Sequence, residues 1–301
     1  MAPQVGRSST VAESARGDES RRPRWEFTRR LLRQRGVPIA LGVLAGAVFM
    51  ALFAPLLAPH NPFAISAPDA NLPPGGAHWF GTDNYGRDIL SRVIYGSRVS
   101  VQVGVIAVSV GVVFGMPLGL ISGYFGGFTD SAIMRLMDVV IAFPALVLAL
   151  TLMAALGPGI PQMMVAIGAA SVPVYARLIR GQVLSVREHE YVFAARSTGA
   201  TSVRILRKHI LPNVLSPLIV QGSLGVGFAI LIEAALSFLG VGVRPPTATW
   251  GGMLSQGLPL IRVSPYLTLF PGLAIFFTVL AINMVGDALR DVLDPRLRGS
   301  R

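Results

Sequence analysis

Cysteine is absent from the 301 residues, and only one of the 26 basic side chains is a lysine, Lys208. Without cysteine, disulfides and thiol–metal chemistry are excluded. Charged residues are sparse at 14%, against about 25% in a soluble domain. The hydrophobic share is 52% and the mean hydropathy +0.60, a balance that points to the bilayer. The net charge of +11 does not argue for nucleic acid, because the basic residues flank apolar runs rather than covering a basic soluble domain. Catalytic signatures are missing too. There is no G-x-x-x-x-G-K-[ST], and the lone lysine lies in Arg207-Lys208-His209, so the chain cannot cradle ATP phosphates in the P-loop manner. His60, His78, His189 and His209 form no H-E-x-x-H pair, and no G-x-S-x-G elbow occurs. An enzyme reading has no nucleophile, metal cluster or acid–base pair to stand on, and neither metal nor cofactor is expected on this chain.

What is present is apolar length. A bilayer-crossing helix needs about 20 mostly apolar residues, and six segments qualify: 37–58, 99–121, 132–156, 160–183, 213–239 and 267–287. The first is too long for a signal-peptide core and reads as a retained anchor. Arginine is distributed unevenly around these spans. Arg21, Arg22, Arg24, Arg29, Arg30, Arg33 and Arg35 precede the first span. Arg187, Arg196, Arg204, Arg207 and Lys208 lie between spans four and five, and Arg290, Arg296, Arg298 and Arg301 end the chain. The other side holds only Arg87, Arg92, Arg98, Arg244 and Arg262. By the positive-inside rule both termini and the 4–5 loop are expected to face the cytoplasm. The expected organisation is a disordered basic tail (1–30), a first span with an external amphipathic segment (31–98) and a core domain (99–298) that includes a cytoplasmic loop at 185–212. Gly111, Gly115, Gly119 and Gly123 recur every fourth residue, which places them on one helix face for close packing.

Two loops carry more information. In the 4–5 loop, Ser185 and Glu188 have capping-box spacing for a helix over 188–198, and Gly199 follows where a left-handed residue ends a helix. Thr201 or Ser202 can cap a second short helix over 203–210, and Leu211-Pro212 opens span five. Ala194 and Ala195 beside Tyr191 and Phe193 make a surface that fits a groove or lies on anionic lipid. In the external segment, Thr82 or Asp83 can cap an amphipathic helix with Ile89, Leu90, Val93 and Ile94 on one face and Arg87, Asp88, Ser91 and Arg92 on the other.

The run Ala194-Ala195-x-x-x-Gly199 with Leu211-Pro212 resembles the EAA loop of binding-protein-dependent ABC importers. Gly81-Thr82-Asp83-x-x-Gly86-Arg87-Asp88 resembles the signature of the C-type permease subunit of dipeptide, oligopeptide and nickel importers. Met134-Arg135-Leu136-Met137-Asp138 with Ala142-Phe143-Pro144, and the stretch from Gly286 to Arg296, agree with that family. The likeness spans about residues 25–298. It implies an all-α, six-span type I ABC importer transmembrane domain, seated in the bacterial plasma membrane, whose 4–5 loop supplies a coupling helix. It further implies a homologous B-type permease partner, cytoplasmic P-loop ATPases that hold ATP and Mg, and an extracytoplasmic substrate-binding protein. Peptides are the implied cargo, with nickel or another small solute as the alternative. The pattern's Glu falls on Phe193 here, so Glu188 and Glu190 are the acids left to meet an ATPase.

Ionised residues within spans need partners. Arg135 and Asp138, three apart, can pair, as can Asp287 and Arg290. Glu233 has no basic neighbour on its helix. Both a pathway-facing carboxylate and a hydrogen bond to an adjacent span explain it. A secondary transporter or channel would need its own coupling-ion site and usually shows internal repeats, of which none is clear.

Overall fold

The computed structural model describes residues 24–293. The basic residues 1–23 and the last motif residues Asp294, Pro295 and Arg296 lie outside the described residues. Helix α1 (Arg24–Arg33) occupies the end of the tail expected to lack structure. Its arginine, leucine and glutamate content is helix-forming, which outweighs the low hydrophobicity of the run. Gly36, at φ +89°, turns the chain into α2 (Val37–Leu57), with a proline in the first turn where its missing N–H costs nothing.

Helix α3 (Ile89–Phe125) has 37 residues, about 55 Å at 1.5 Å per residue, and so outreaches a 30 Å hydrocarbon core. The third expected span is not one helix. Helices α4 (Gly127–Ile141) and α5 (Ala145–Leu156) meet at 87°. Pro144 disfavours helical backbone at Phe143, so Ala142-Phe143-Pro144 carried a legible break signal. Then come α6 (Ile160–Val186), the short α7 (Glu190–Ser197) and α8 (Ser202–Ile205), α9 (Leu211–Phe238), α10 (Trp250–Gly257) and α11 (Tyr266–Leu293). A π-helical turn, Leu206–Ile210, fuses α8 to α9. No strand occurs among the described residues.

The glycine stripe organises the bundle. A Cβ at Gly115 would stand 2.6 Å from the Val172 carbonyl oxygen, and Gly119 and Gly123 meet Ala176, Ile179 and Val183 in turn. Rising numbers on α3 meet rising numbers on α6, so these helices run parallel. The bent α4–α5 pair must therefore carry the chain back across the bundle. Ala149 and Met153 of α5 accordingly pack with Val99 and Val103 of α3. Counting that pair as one, six helical segments long and apolar enough to span occur among the described residues. Contacts of Ser100 with Glu233 and of Val108 with Gly225, and of Ile282 with Gly227 and Gly286 with Leu224, fix α9 antiparallel to both α3 and α11. The start of α2, the α7–α8 loop and the end of α11 thus share one end of the bundle. The segment 58–88 and α10 share the other.

Candidate functional site

The 185–212 loop folds from its core outward. Helix α6 runs through Ser185 to Val186, so the anticipated Ser185–Glu188 cap does not form, and α7 starts at Glu190 behind His189. Continued pairing with α6 outcompetes the local box, since the Arg187 N–H reaches the Val183 carbonyl at 2.9 Å. Arg187 Nη1 donates to the Gly123 carbonyl at 2.9 Å and pins the turn to the end of α3. Val192 is fully buried against Val183, Val186, Ile205, Ile210 and Val214.

With Val192 inward, helical geometry turns Tyr191 (42% exposed), Phe193 (49% exposed) and Ala194 outward. Ala195 instead packs on the loop's own core, so the two alanines do not form one surface as expected. Glu190 is exposed, and Glu188 is exposed with Arg187 Nε at 3.1 Å. Gly199 takes φ +79°. Its N–H bonds the Arg196 carbonyl at 2.9 Å, and the Ala200 N–H bonds the Ala195 carbonyl at 3.0 Å, which is a Schellman ending. Thr201 caps α8. Leu211 packs on the same core and Pro212 stands in the first turn of α9. Asn213 Nδ2 donates to the His209 carbonyl at 2.6 Å and to the Tyr191 hydroxyl at 3.4 Å, which ties α7 to α9.

At the opposite end, the signature run forms a knot rather than the start of an amphipathic helix. Asp83 Oδ1 accepts the backbone N–H groups of Tyr85 (2.9 Å) and Arg87 (3.0 Å), while Oδ2 takes Arg87 Nε at 2.7 Å. Arg87 Nη2 continues to Gln256 of α10 at 2.9 Å. Thr82 accepts the Leu72 N–H and donates to the Asp69 carbonyl. Gly81 (φ +79°) and Gly86 (φ +73°) make left-handed turns, and a Cβ on Gly86 would overlap Ser66. The N-cap of α3 is Asp88, whose Oδ2 accepts the Ser91 N–H at 2.8 Å and the Ser91 hydroxyl at 2.7 Å. Arg87, Asp88, Ser91 and Arg92, expected on a solvent face, are all buried. Their long-range partners decide this, and helix periodicity carries no trace of them.

The intramembrane charges are also rearranged. Asp138 pairs with Arg177 of α6 at 2.5 Å, not with Arg135. Asp130, unflagged by the sequence, receives Arg180 through two 2.6 Å bonds and the Ser122 hydroxyl. Asp287 and Arg290 are exposed and form no ion pair with each other. Glu233 is fully enclosed, accepting from Ser100 of α3 at 3.0 Å and from Ser237 at 2.9 Å. Of the two explanations left open, the hydrogen bond to an adjacent span is the one realised in this conformation. The open cavities lie elsewhere. A cavity of about 470 Å³ is lined by Tyr175, Gln221, Leu224 and Asn283, among mostly apolar neighbours. A second, of about 820 Å³, shares Gln221 and Leu224 and continues past Pro212 and Asn213 to Arg290. Together they form a trough from mid-bundle to the base of the α7 loop.

A helical bundle with such a trough, and with a short exposed helix clamped to its end, has the architecture of an importer permease. Comparison with known proteins gives the family. Residues 115–299 match the family described as "Binding-protein-dependent transport system inner membrane component", and residues 23–74 match the "N-terminal TM domain of oligopeptide transport permease C". The chain is 44% identical over 274 residues to a dipeptide transport system permease of Alkalihalophilus pseudofirmus, covering 91% of this chain and 90% of that one. A glutathione transport system permease of Pectobacterium atrosepticum is 43% identical, with 93% and 94% covered. A probable D,D-dipeptide transport system permease of Escherichia coli is 45% identical, with 84% and 85% covered. The fold of the MetNI methionine ABC transporter in an inward-facing form superimposes with a TM-score of 0.56 at 18% identity, covering 67% of this chain and 96% of that one. The chain belongs to the binding-protein-dependent transport system inner membrane component family. It is a multi-pass permease subunit of an ABC transporter, and membership implies an assembly with an ATPase and further subunits.

Proposed function

We propose that this chain is the C-type transmembrane subunit of a peptide importer. It pairs with a homologous B-type permease, and an extracytoplasmic binding protein delivers the cargo. Cytoplasmic P-loop ATPases, which hold ATP and Mg, drive it. The observation that carries the coupling mechanism is the mounting of α7. Its Tyr191, Phe193 and Ala194 face outward, while Val192 and Asn213 fasten its base to α6 and α9. A push on the exposed face cannot be absorbed locally, so it passes to the two helices that line the trough. The start of α2, the end of α11 and the α7 loop share one end of the bundle, and the arginines that flank them in the sequence support a cytoplasmic placement for that end. The trough, closed by the partner permease, is the peptide path. The names of the relatives favour peptides over nickel.

The test is ATP-dependent uptake by the full complex in proteoliposomes supplied with binding protein. Labelled di- and tripeptides should accumulate and nickel should not. Nickel uptake without peptide uptake would overturn the cargo assignment.

A further inference from the structure

We propose that His60, His78 and Asp88 form a binding site for a divalent transition-metal ion, zinc foremost, which fastens the segment after α2 to the head of α3. No local pattern marks it, because the three residues lie 18 and 10 positions apart and match no spaced metal motif. The fold brings one ligand atom from each within 4.8 Å of the others.

The geometry suits a metal better than a hydrogen bond alone. His78 Nδ1 lies 2.9 Å from Asp88 Oδ1, and His60 Nδ1 lies 3.8 Å from the same oxygen. Atoms that each sit about 2.0–2.2 Å from a tetrahedral zinc stand about 3.3–3.6 Å apart, and the two distances bracket that spacing. One histidine suffices to hydrogen-bond the carboxylate. The second is too far to do so, yet its ring lies 4.6 Å from the first, centroid to centroid.

The ligands are held in advance. Asp88 is buried, and its second oxygen is occupied by the Ser91 N–H and hydroxyl. That leaves Oδ1 directed at the two imidazoles, with outer partners of the kind that orient metal-binding carboxylates. The strand of chain bearing His60 is fixed twice, by its own N–H on Ser91 Oγ at 3.1 Å and by Arg92 Nη1 on the Pro62 carbonyl at 3.0 Å. His60 is 42% exposed at its side chain, which leaves a fourth position open to water. Two histidines and one carboxylate with an open position suit zinc or its borderline neighbours rather than Mg or Ca. Metal binding takes the Nδ1 lone pair of His78, with any proton on that ring carried at Nε2. Arg87 and Arg92 share Asp83 and leave positive charge in the knot, which weakens cation binding relative to a four-ligand site.

The test uses the purified transporter carrying a histidine-free affinity tag, stripped with chelator and titrated with Zn²⁺ by calorimetry. His60→Ala removes a ring whose backbone bond to Ser91 persists, so its metal-free melting temperature should match the unaltered protein. Against that background it should bind one zinc fewer per copy of this chain, or bind that zinc at least tenfold more weakly. His60→Asp, which restores a ligand, should recover most of the affinity, and Zn²⁺ should raise the melting temperature of the unaltered complex but not of His60→Ala. Equal zinc stoichiometry and affinity in the unaltered and His60→Ala complexes would overturn the site.

Discussion

At residue scale, neighbouring side chains in the α7 loop have opposite duties. The spacing Ala194-Ala195-x-x-x-Gly199 was visible in the sequence, but which alanine faces outward depends on Val192 and its partners on α6, α8 and α9. Ala195→Trp must overpack the loop core, at about 1–3 kcal/mol. Ala194→Trp projects from the exposed face and leaves the fold intact. Melting temperature of the purified permease should therefore fall for Ala195→Trp and hold for Ala194→Trp, while ATP-driven transport is lost in both. Equal melting temperatures would contradict the assigned facing. Gly199→Val places a β-branched residue at φ +79°, where left-handed backbone costs roughly 1–2 kcal/mol. It should loosen the α7 ending, read as faster amide exchange at positions 199 and 200.

At the scale of elements, apolar length was legible because the bilayer dictates it, and five of the six expected spans appear as single helices. The break in the third was readable from Pro144 yet hidden under continuous hydropathy. The ion pairs were not readable. Spacing on one helix suggested Arg135 with Asp138, whereas the partner sits on α6 as Arg177, supplied by tertiary packing. Gly81, Thr82, Asp83, Gly86, Arg87 and Asp88 stood out as a motif. Their knot depends on Ser66, Asp69, Leu72 and Gln256, which no local pattern links to them.

Glu233 tests the element scale, since its carboxyl clasps α3 to α9. Glu233→Gln keeps an acceptor for the Ser100 hydroxyl, whereas Glu233→Leu leaves both hydroxyls without it. Interhelical hydrogen bonds in membranes average about 0.6 kcal/mol with a maximum near 1.7, so the effect is graded. Thermal unfolding in detergent should rank the unaltered protein and Glu233→Gln together, with Glu233→Leu a few degrees lower. If Glu233→Gln instead abolished transport at unchanged stability, a pathway role would displace the clasp.

At the scale of the whole molecule, the parallel run of α3 and α6 forces the α4–α5 pair to cross, and the start of α2 and the end of α11 then gather with the α7 loop. The chain has no native cysteine, so single-cysteine labelling reads topology without background. Val203→Cys and Val263→Cys are both well exposed, at 73% and 81%. Membrane-impermeant maleimide should label position 263 from outside intact cells and position 203 only after permeabilisation. Labelling of both from one side would break the six-span arrangement.

The central claim is that α7 is the mechanical contact with an ATPase, and it is tested most directly by crosslinking. Ala194→Cys in the assembled transporter, treated with a short thiol-to-amine crosslinker, should give a permease–ATPase adduct whose yield changes between ATP-bound and nucleotide-free states. Ala195→Cys, turned into the loop core, should give little. Absence of an adduct from position 194 in both states, with transport intact, would contradict the coupling role.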